Sequence, residues 1–147
     1  MNLLKKILGV AHNGLSRIGV ENQDVLIIGA GAIGLLATSV AKAMGATKVM
    51  IADVNAERLE LAKKMGADVT INCKEVELHK EIMRLTGGDG VPRLVEASGA
   101  SALVNSCFKL LQKVNSSFKL VGLNLDRFPI GCTTCLYWTS PIAFACG

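Results

Sequence analysis

Three glycines and one aspartate are the residues in this chain best suited to chemistry. Gly29, Gly31 and Gly34 follow the apolar run Val25–Ile28 in "VLIIGAGAIG", and Asp53 closes the next apolar run, "KVMIAD". A strand that turns directly into a helix aims the helix's free N–H groups and its positive dipole end at the turn, which suits a phosphate. Gly29 would permit the tight turn, Gly31 would let the backbone approach a diphosphate, and Gly34 would let the helix close onto the strand. A carboxylate at Asp53, about 20 residues beyond the third glycine, is placed to accept hydrogen bonds from both hydroxyls of an adenosine ribose. It would also repel a 2′-phosphate, which favours NAD over NADP. A plainer reading competes: the glycines only make a tight turn, and Asp53 only caps the next helix. An S-adenosylmethionine site is a second competitor, but it usually carries an acidic residue early in its glycine motif, where this chain has Ile27 and Ile28.

The elements that must hold these residues follow from hydrophobic periodicity. Strands are predicted over 24–29, 48–53, 68–73, 92–99 and 117–123, and helices over 34–45, 55–66, 74–88 and 101–115. Alternation of strand and helix through short connections implies a parallel sheet, and right-handed crossovers make it doubly wound. The expected fold is therefore α/β: a Rossmann-type doubly wound parallel sheet with helices on both faces. Half of the 147 residues are hydrophobic (50%) and 19% are charged, which suits strands buried under helices and excludes disorder.

Other function classes fare worse. The net charge of +4 comes from scattered lysines with no dense basic tract, so no nucleic-acid partner is expected. An odd count of five cysteines, without a secretory signal, fits reduced thiols in a cytoplasmic protein. The tail "FPIGCTTCLYWTSPIAFACG" is uncharged over about 20 residues, the length of a membrane span. Pro129, Gly131, Pro141 and its hydroxyl residues argue against a spanning helix, and no membrane partner is expected. Cys132 and Cys135 have the CxxC spacing of half a tetrahedral zinc site. Cys73, Cys107, Cys146, His12 and His79 supply no evident second half, so free thiols and no metal site are expected. Two histidines so placed build no Ser–His–Asp or Cys–His nucleophile.

The stretch from "VLIIGAGAIG" through "DVNAERLELAKKMGADVTIN", followed by "EASGA" and "VGL", resembles the nucleotide domain of the zinc-containing medium-chain alcohol dehydrogenase superfamily. It is most similar to the L-threonine 3-dehydrogenase and sorbitol (polyol) dehydrogenase branch, over about residues 8–124. The resemblance implies that Gly29, Gly31, Ala32, Ile33 and Gly34 contact the pyrophosphate, that Asp53 holds the ribose, and that Arg58 lies beside the adenosine. It also implies that Ser98, Gly99, Val121, Gly122 and Leu123 line the nicotinamide half. For Arg58 the plain alternative is a solvated helix residue; for the last five it is ordinary strand ends.

By the same resemblance, residues 1–20 are a lead-in helix from a catalytic domain, 21–124 the NAD-binding domain, and 125–147 an uncertain apolar tail, possible remnant of a last strand. Relatives place a zinc-holding catalytic domain ahead of the nucleotide domain, and this chain starts where that domain hands over. Lys6-Ile7-Leu8 stands where they usually read Glu-Pro-Leu, Val91-Pro92-Arg93 replaces a Val-Asp pair, and Asn115-Ser116-Ser117 replaces a Gly-Gly turn. The implied function is the NAD-binding portion of an oxidoreductase that moves hydride from a secondary alcohol, polyol or threonine-like, to NAD. Such a portion carries no catalytic residue and is expected to be inactive alone, with zinc belonging to the full-length enzyme. A sheet truncated at its C-terminal edge leaves a strand open for pairing, as a homo-oligomer or with a full-length dehydrogenase. That gives the alternative of a non-enzymatic interaction or regulatory protein.

Overall fold

The computed structural model describes residues 3–100, 106–113 and 116–120. Its centre is β1 (Asp24–Ile28), whose side chains alternate between two apolar layers. Val25 and Ile27 face one layer with Val49 and Ile51 of β2 (Lys48–Asp53), under α1 (Leu3–Ile18), α2 (Ala32–Ala43) and α3 (Ala56–Lys64). Leu26 and Ile28 face the other with Met50, Ala52 and Ile71, the last from β3 (Val69–Asn72), under α4 (Leu78–Leu85). Leu26 and Ile27 are fully buried, and each such side chain contributes about 1.5–3 kcal/mol relative to exposure.

All the strand pairs are parallel, and the sheet order is β3-β2-β1-β4-β5, with β4 at Arg93–Glu96 and β5 at Ser117–Leu120. The chain thus builds outward from β1 through β2 to β3, then crosses back to lay β4 on the other side of β1. Helices cover both faces. This is the doubly wound parallel sheet that the alternation of elements implies.

Helix α1 carries a narrow buried stripe of Ala11, Leu15 and Ile18, packed against α2, while Leu3, Leu4, Leu8 and Val10 are exposed. Three of the predicted helices are longer than the observed ones: the one predicted over 55–66 is observed as Ala56–Lys64 between its caps Asn55 and Met65, and two others stop short for local reasons. Residues 74–77 do not belong to α4: the Lys74 N–H donates to Asn72 Oδ1 at 3.0 Å, and the Glu75 and Val76 N–H groups to the Asn72 carbonyl. That turn holds the chain until Leu78. The helix predicted over 101–115 stops at a single 3-10 turn, Phe108–Leu110. Leu111 is extended and bridges Val91, with the Val91 N–H donating to the Leu110 carbonyl at 2.8 Å and the Gln112 N–H to the Val91 carbonyl at 2.9 Å. Residues 101–105 and 114–115 of that expectation, 121–123 of the last strand and the 125–147 tail lie outside the described residues.

Asp68 ties the outer edge of the sheet to α2. Its Oδ2 accepts from the Val49 N–H at 2.7 Å, and both its oxygens accept from Lys42 Nζ, at 3.0 and 2.9 Å. Burial pulls this carboxyl upward, but the Val49 N–H and the Lys42 ammonium outweigh it and hold it below its ordinary value of 3.8. A carboxylate lowered on folding adds stability above its unfolded value and loses it as pH falls through the folded one. The Lys42 and Asp68 side chains are 35% and 37% exposed, so Asp68→Asn should cost about 1 kcal/mol or less at pH 7 in a urea titration. The difference from wild type should shrink as pH falls from about 5 to 2; an unchanged difference at acid pH would contradict this account.

Candidate functional site

The carboxyl ends of β1 and β4 lie side by side at the centre of the sheet, with Ile28 paired to Glu96. From there the two chains turn to opposite faces, since β1 leads into α2 and β4 leads toward Cys107 in the other layer. In an open α/β sheet this divergence makes the crevice in which ligands bind.

Close backbone approach shapes the turn out of β1. Gly29 has φ +98°, and a Cβ there would come within 2.7 Å of Ser98 Cα and N. A Cβ on Gly34 would overlap the Gly29 carbonyl oxygen and touch Ile27, so bare backbone is what lets α2 lie on β1. Gly34 is buried by that contact. Gly31 differs from both: a Cβ there would meet nothing within 4 Å. Gly31 is also the N-cap of α2, with no side-chain cap, and the first turn holds no acidic residue. The free N–H groups of the helix start, at Ala32, Ile33 and Gly34, therefore belong to a positive end that no side chain of the N-cap or first turn caps. Ala32 is exposed and Ile33 half-buried against the α2 layer.

Asp53, at the end of β2, reaches across to this turn. Its Oδ2 accepts from the Ala30 N–H at 2.7 Å and its Oδ1 from the Asn55 N–H at 2.8 Å. Each carboxylate oxygen has a second lone-pair direction, so two further donors can be taken. Asp53 does not cap the following helix. Asn55 does, accepting the Arg58 N–H on its side-chain oxygen at 3.1 Å. Arg58 is exposed in the first turn of α3, on the chain that leaves Asp53.

On the β4 side, the Ala97 N–H donates to the Ile28 carbonyl at 2.7 Å, and Ser98 and Gly99 are exposed. Their turn is fastened by Glu96, whose Oε1 accepts from both the N–H and the hydroxyl of Ser98. The structure thus brings Gly29, Gly31, Ala32, Asp53 and Ser98 together, while Val121, Gly122 and Leu123 lie outside the described residues. Glu96 was not among the candidate residues of the sequence. The signal was its place two residues before Ser98 in "EASG", at the carboxyl end of a central strand.

Two cysteines border the site, and neither is activated. Burial first, and the Asp53 charge second, raise the Cys73 thiol above its ordinary value. Burial, with a smaller contribution from Glu96, pushes Cys107 up to about 12. Both are thiols, not thiolate nucleophiles, at neutral pH. Among the described residues no group of three or more His, Cys, Asp or Glu side chains is placed to hold a metal. No helix among them is long and apolar enough to cross a membrane. A cavity of about 360 Å³ opens at the amino end of the sheet, lined by Gly19, Val20, Glu21, Gln23, Met44 and Arg93. There Arg93 Nε donates to the Gly19 carbonyl at 2.7 Å, fixing the start of β4 to the end of α1. This cavity lies across the molecule from the glycine turn.

Residues 32–137 match the family model described as zinc-binding dehydrogenase. The chain is 44% identical over 97 residues to the L-threonine 3-dehydrogenase of Pyrococcus horikoshii, covering 66% of this chain and 28% of that enzyme. The chain spans 27% of the length of the Cupriavidus necator alcohol dehydrogenase and 34% of that of the Vibrio parahaemolyticus L-threonine 3-dehydrogenase, about a third or less of such curated relatives. Among solved structures, the alcohol dehydrogenase TADH from Thermus sp. ATN1 superposes with a TM-score of 0.82 at 27% identity, covering 97% of this chain and 41% of that one. A Sinorhizobium meliloti 1021 structure bound to NADP gives 0.75 at 25% identity, covering 80% and 35%.

The different surroundings of Gly31 and Gly34 are testable without any ligand. Gly34→Ala forces α2 off the Gly29 carbonyl and should cost at least about 3 kcal/mol in urea denaturation. Gly31→Ala meets only open space and should stay within about 1 kcal/mol of wild type. Equal losses at the two positions would contradict the geometry.

Proposed function

The chain belongs to the zinc-binding dehydrogenase family, and on that footing we propose that it binds NAD at the β1–α2 turn as the cofactor-holding part of an alcohol dehydrogenase. The observation that carries the reading is the open face of Gly31 beside Asp53: bare backbone at an uncapped helix start, with a carboxylate fixed next to it. The helix start of Ala32, Ile33 and Gly34 would hold the diphosphate by its N–H groups. Asp53 would take the two ribose hydroxyls on its remaining lone pairs while its bonds to Ala30 and Asn55 keep it in place. A 2′-phosphate would bring negative charge onto that carboxylate, so NAD is preferred to NADP. Arg58 would lie beside the adenosine, and Ser98 with Gly99 would face the nicotinamide half, together with Val121, Gly122 and Leu123.

NAD, when bound, takes up the hydride of a secondary alcohol. The substrate class we infer is a polyol or a threonine-like alcohol, supported by likeness to threonine 3-dehydrogenases. The residues described here bind and orient the cofactor, and none stands ready to polarise an alcohol oxygen. The chain alone is accordingly expected to turn over no substrate, and its setting is cytoplasmic. A second reading, pairing with another dehydrogenase chain, draws on the position of β5 at the outer end of the described sheet.

Titration calorimetry of the purified chain tests the proposal. NAD⁺ should bind at least about tenfold more tightly than NADP⁺, and Asp53→Ala should weaken NAD⁺ by about tenfold or more, about 1.4 kcal/mol. Folded protein that binds neither dinucleotide would sink the reading and leave the pairing alternative in front.

A further inference from the structure

Among the described residues, Glu96 is the only charged side chain that is fully buried. Strand alternation puts it on the face of Leu94, in the layer that also holds Cys107 and Leu110. Its strand neighbours in register are Ile28 of β1 and Leu120 of β5. Oε1 accepts from the Ser98 N–H at 2.8 Å and from the Ser98 hydroxyl, whereas Oε2 is buried with no hydrogen-bond partner among the described residues. No Lys or Arg among the described residues forms an ion pair with it. A carboxylate buried without a cation, and with one oxygen unpartnered, is costly. An aliphatic residue would fill the end of a central strand without that cost, so the stability of the core does not account for Glu96.

What Glu96 holds accounts for it. Ser98 is the residue whose backbone lies where a Gly29 Cβ would go, with Ala97 C close behind at 2.9 Å. The hydroxyl of Ser98 in turn accepts from the Ala100 N–H at 3.2 Å. The turn over residues 97–100 is therefore fixed from below by one carboxylate oxygen and pressed from the side against the glycine turn. Movement of Ser98 toward β1 is blocked by Gly29, and movement away is resisted by Glu96.

We propose that Glu96 is a positioning residue for the cofactor: by holding the N–H and hydroxyl of Ser98, it sets the β4 turn that faces the nicotinamide half. This deepens the NAD reading and rests on it. The adenosine half, at Asp53, sits on β2 and makes no use of Glu96. The two halves should thus respond differently to its loss.

The test uses the full chain with AMP, which reports the adenosine half, and NAD⁺, which reports both, each titrated by calorimetry. Glu96→Leu should leave AMP affinity within about twofold and weaken NAD⁺ by about tenfold. Glu96→Gln keeps an oxygen for Ser98 and should recover NAD⁺ binding to within about threefold of wild type. Should Glu96→Leu fail to fold, Ser98→Ala, which removes the hydroxyl that Glu96 holds and leaves it only the Ser98 N–H, should lower NAD⁺ affinity by about threefold with AMP unchanged. Unaltered NAD⁺ binding in the variant that folds, equal loss of AMP and NAD⁺, or a glutamine variant as poor as the leucine one overturns the assignment. Wild type that binds neither AMP nor NAD⁺ overturns the NAD reading itself, and the role of Glu96 falls with it.

Discussion

Three stretches of backbone meet at the end of β1 more closely than side chains would permit. The Gly29 carbonyl lies under α2 where a Cβ of Gly34 would be, and Gly29 itself lies against Ser98 at the end of β4. These contacts set where α2 starts, how far it stands from the sheet, and how near the β4 turn comes to the β1 turn. Burial of the two apolar layers holds the sheet together, and how closely backbone can approach backbone at these glycines sets the distance at which the layers close. The missing side chains fix that distance. They place the uncapped start of α2, Asp53 and the Ser98 turn around one crevice.

Electrostatics then give the crevice its sign. The start of α2 offers free N–H groups and carries no acidic residue in its first turn. The nearby negative charges are held in place: Asp53 is bonded once through each oxygen, to Ala30 and Asn55, and Glu96 is turned inward to Ser98. One carboxylate with lone pairs to spare beside a cluster of N–H donors suits a ligand that carries both phosphate and vicinal hydroxyls. The same pairing disfavours a phosphate on the hydroxyl side. Cys73 and Cys107, held as thiols by burial, add no reactivity to this end of the sheet.

Much of this was legible in the amino-acid sequence, for reasons that are local. The strands could be read from period-two and continuous apolar runs, and the parallel, doubly wound sheet followed from alternation with helices and the handedness of crossovers. Gly29, Gly31, Gly34 and Asp53 were legible because their spacing is tied to a short strand–turn–helix unit. Helix ends were less so: Asn72 captures the N–H groups that would have extended α4 backward, and Val91 captures Leu111 and Gln112 from far along the chain. For Glu96 the sequence signal is weak, its place in "EASG", because a carboxylate at a strand end reads as solvent-facing; the packing around β4 buries it. The same holds for Asn55, whose role as cap left Asp53 free to turn toward Ala30.

The central claim is that the crevice at the carboxyl ends of β1 and β4 is the dinucleotide site. Two-dimensional amide NMR of the chain during NAD⁺ titration tests it most directly. The account predicts shift changes concentrated at Gly29–Gly34, Asp53–Asn55 and Ser98–Gly99. It predicts none around Gly19–Gln23 and Arg93, which line the cavity at the opposite end of the sheet. Changes centred on that far cavity, or a folded spectrum that NAD⁺ leaves untouched, would contradict it.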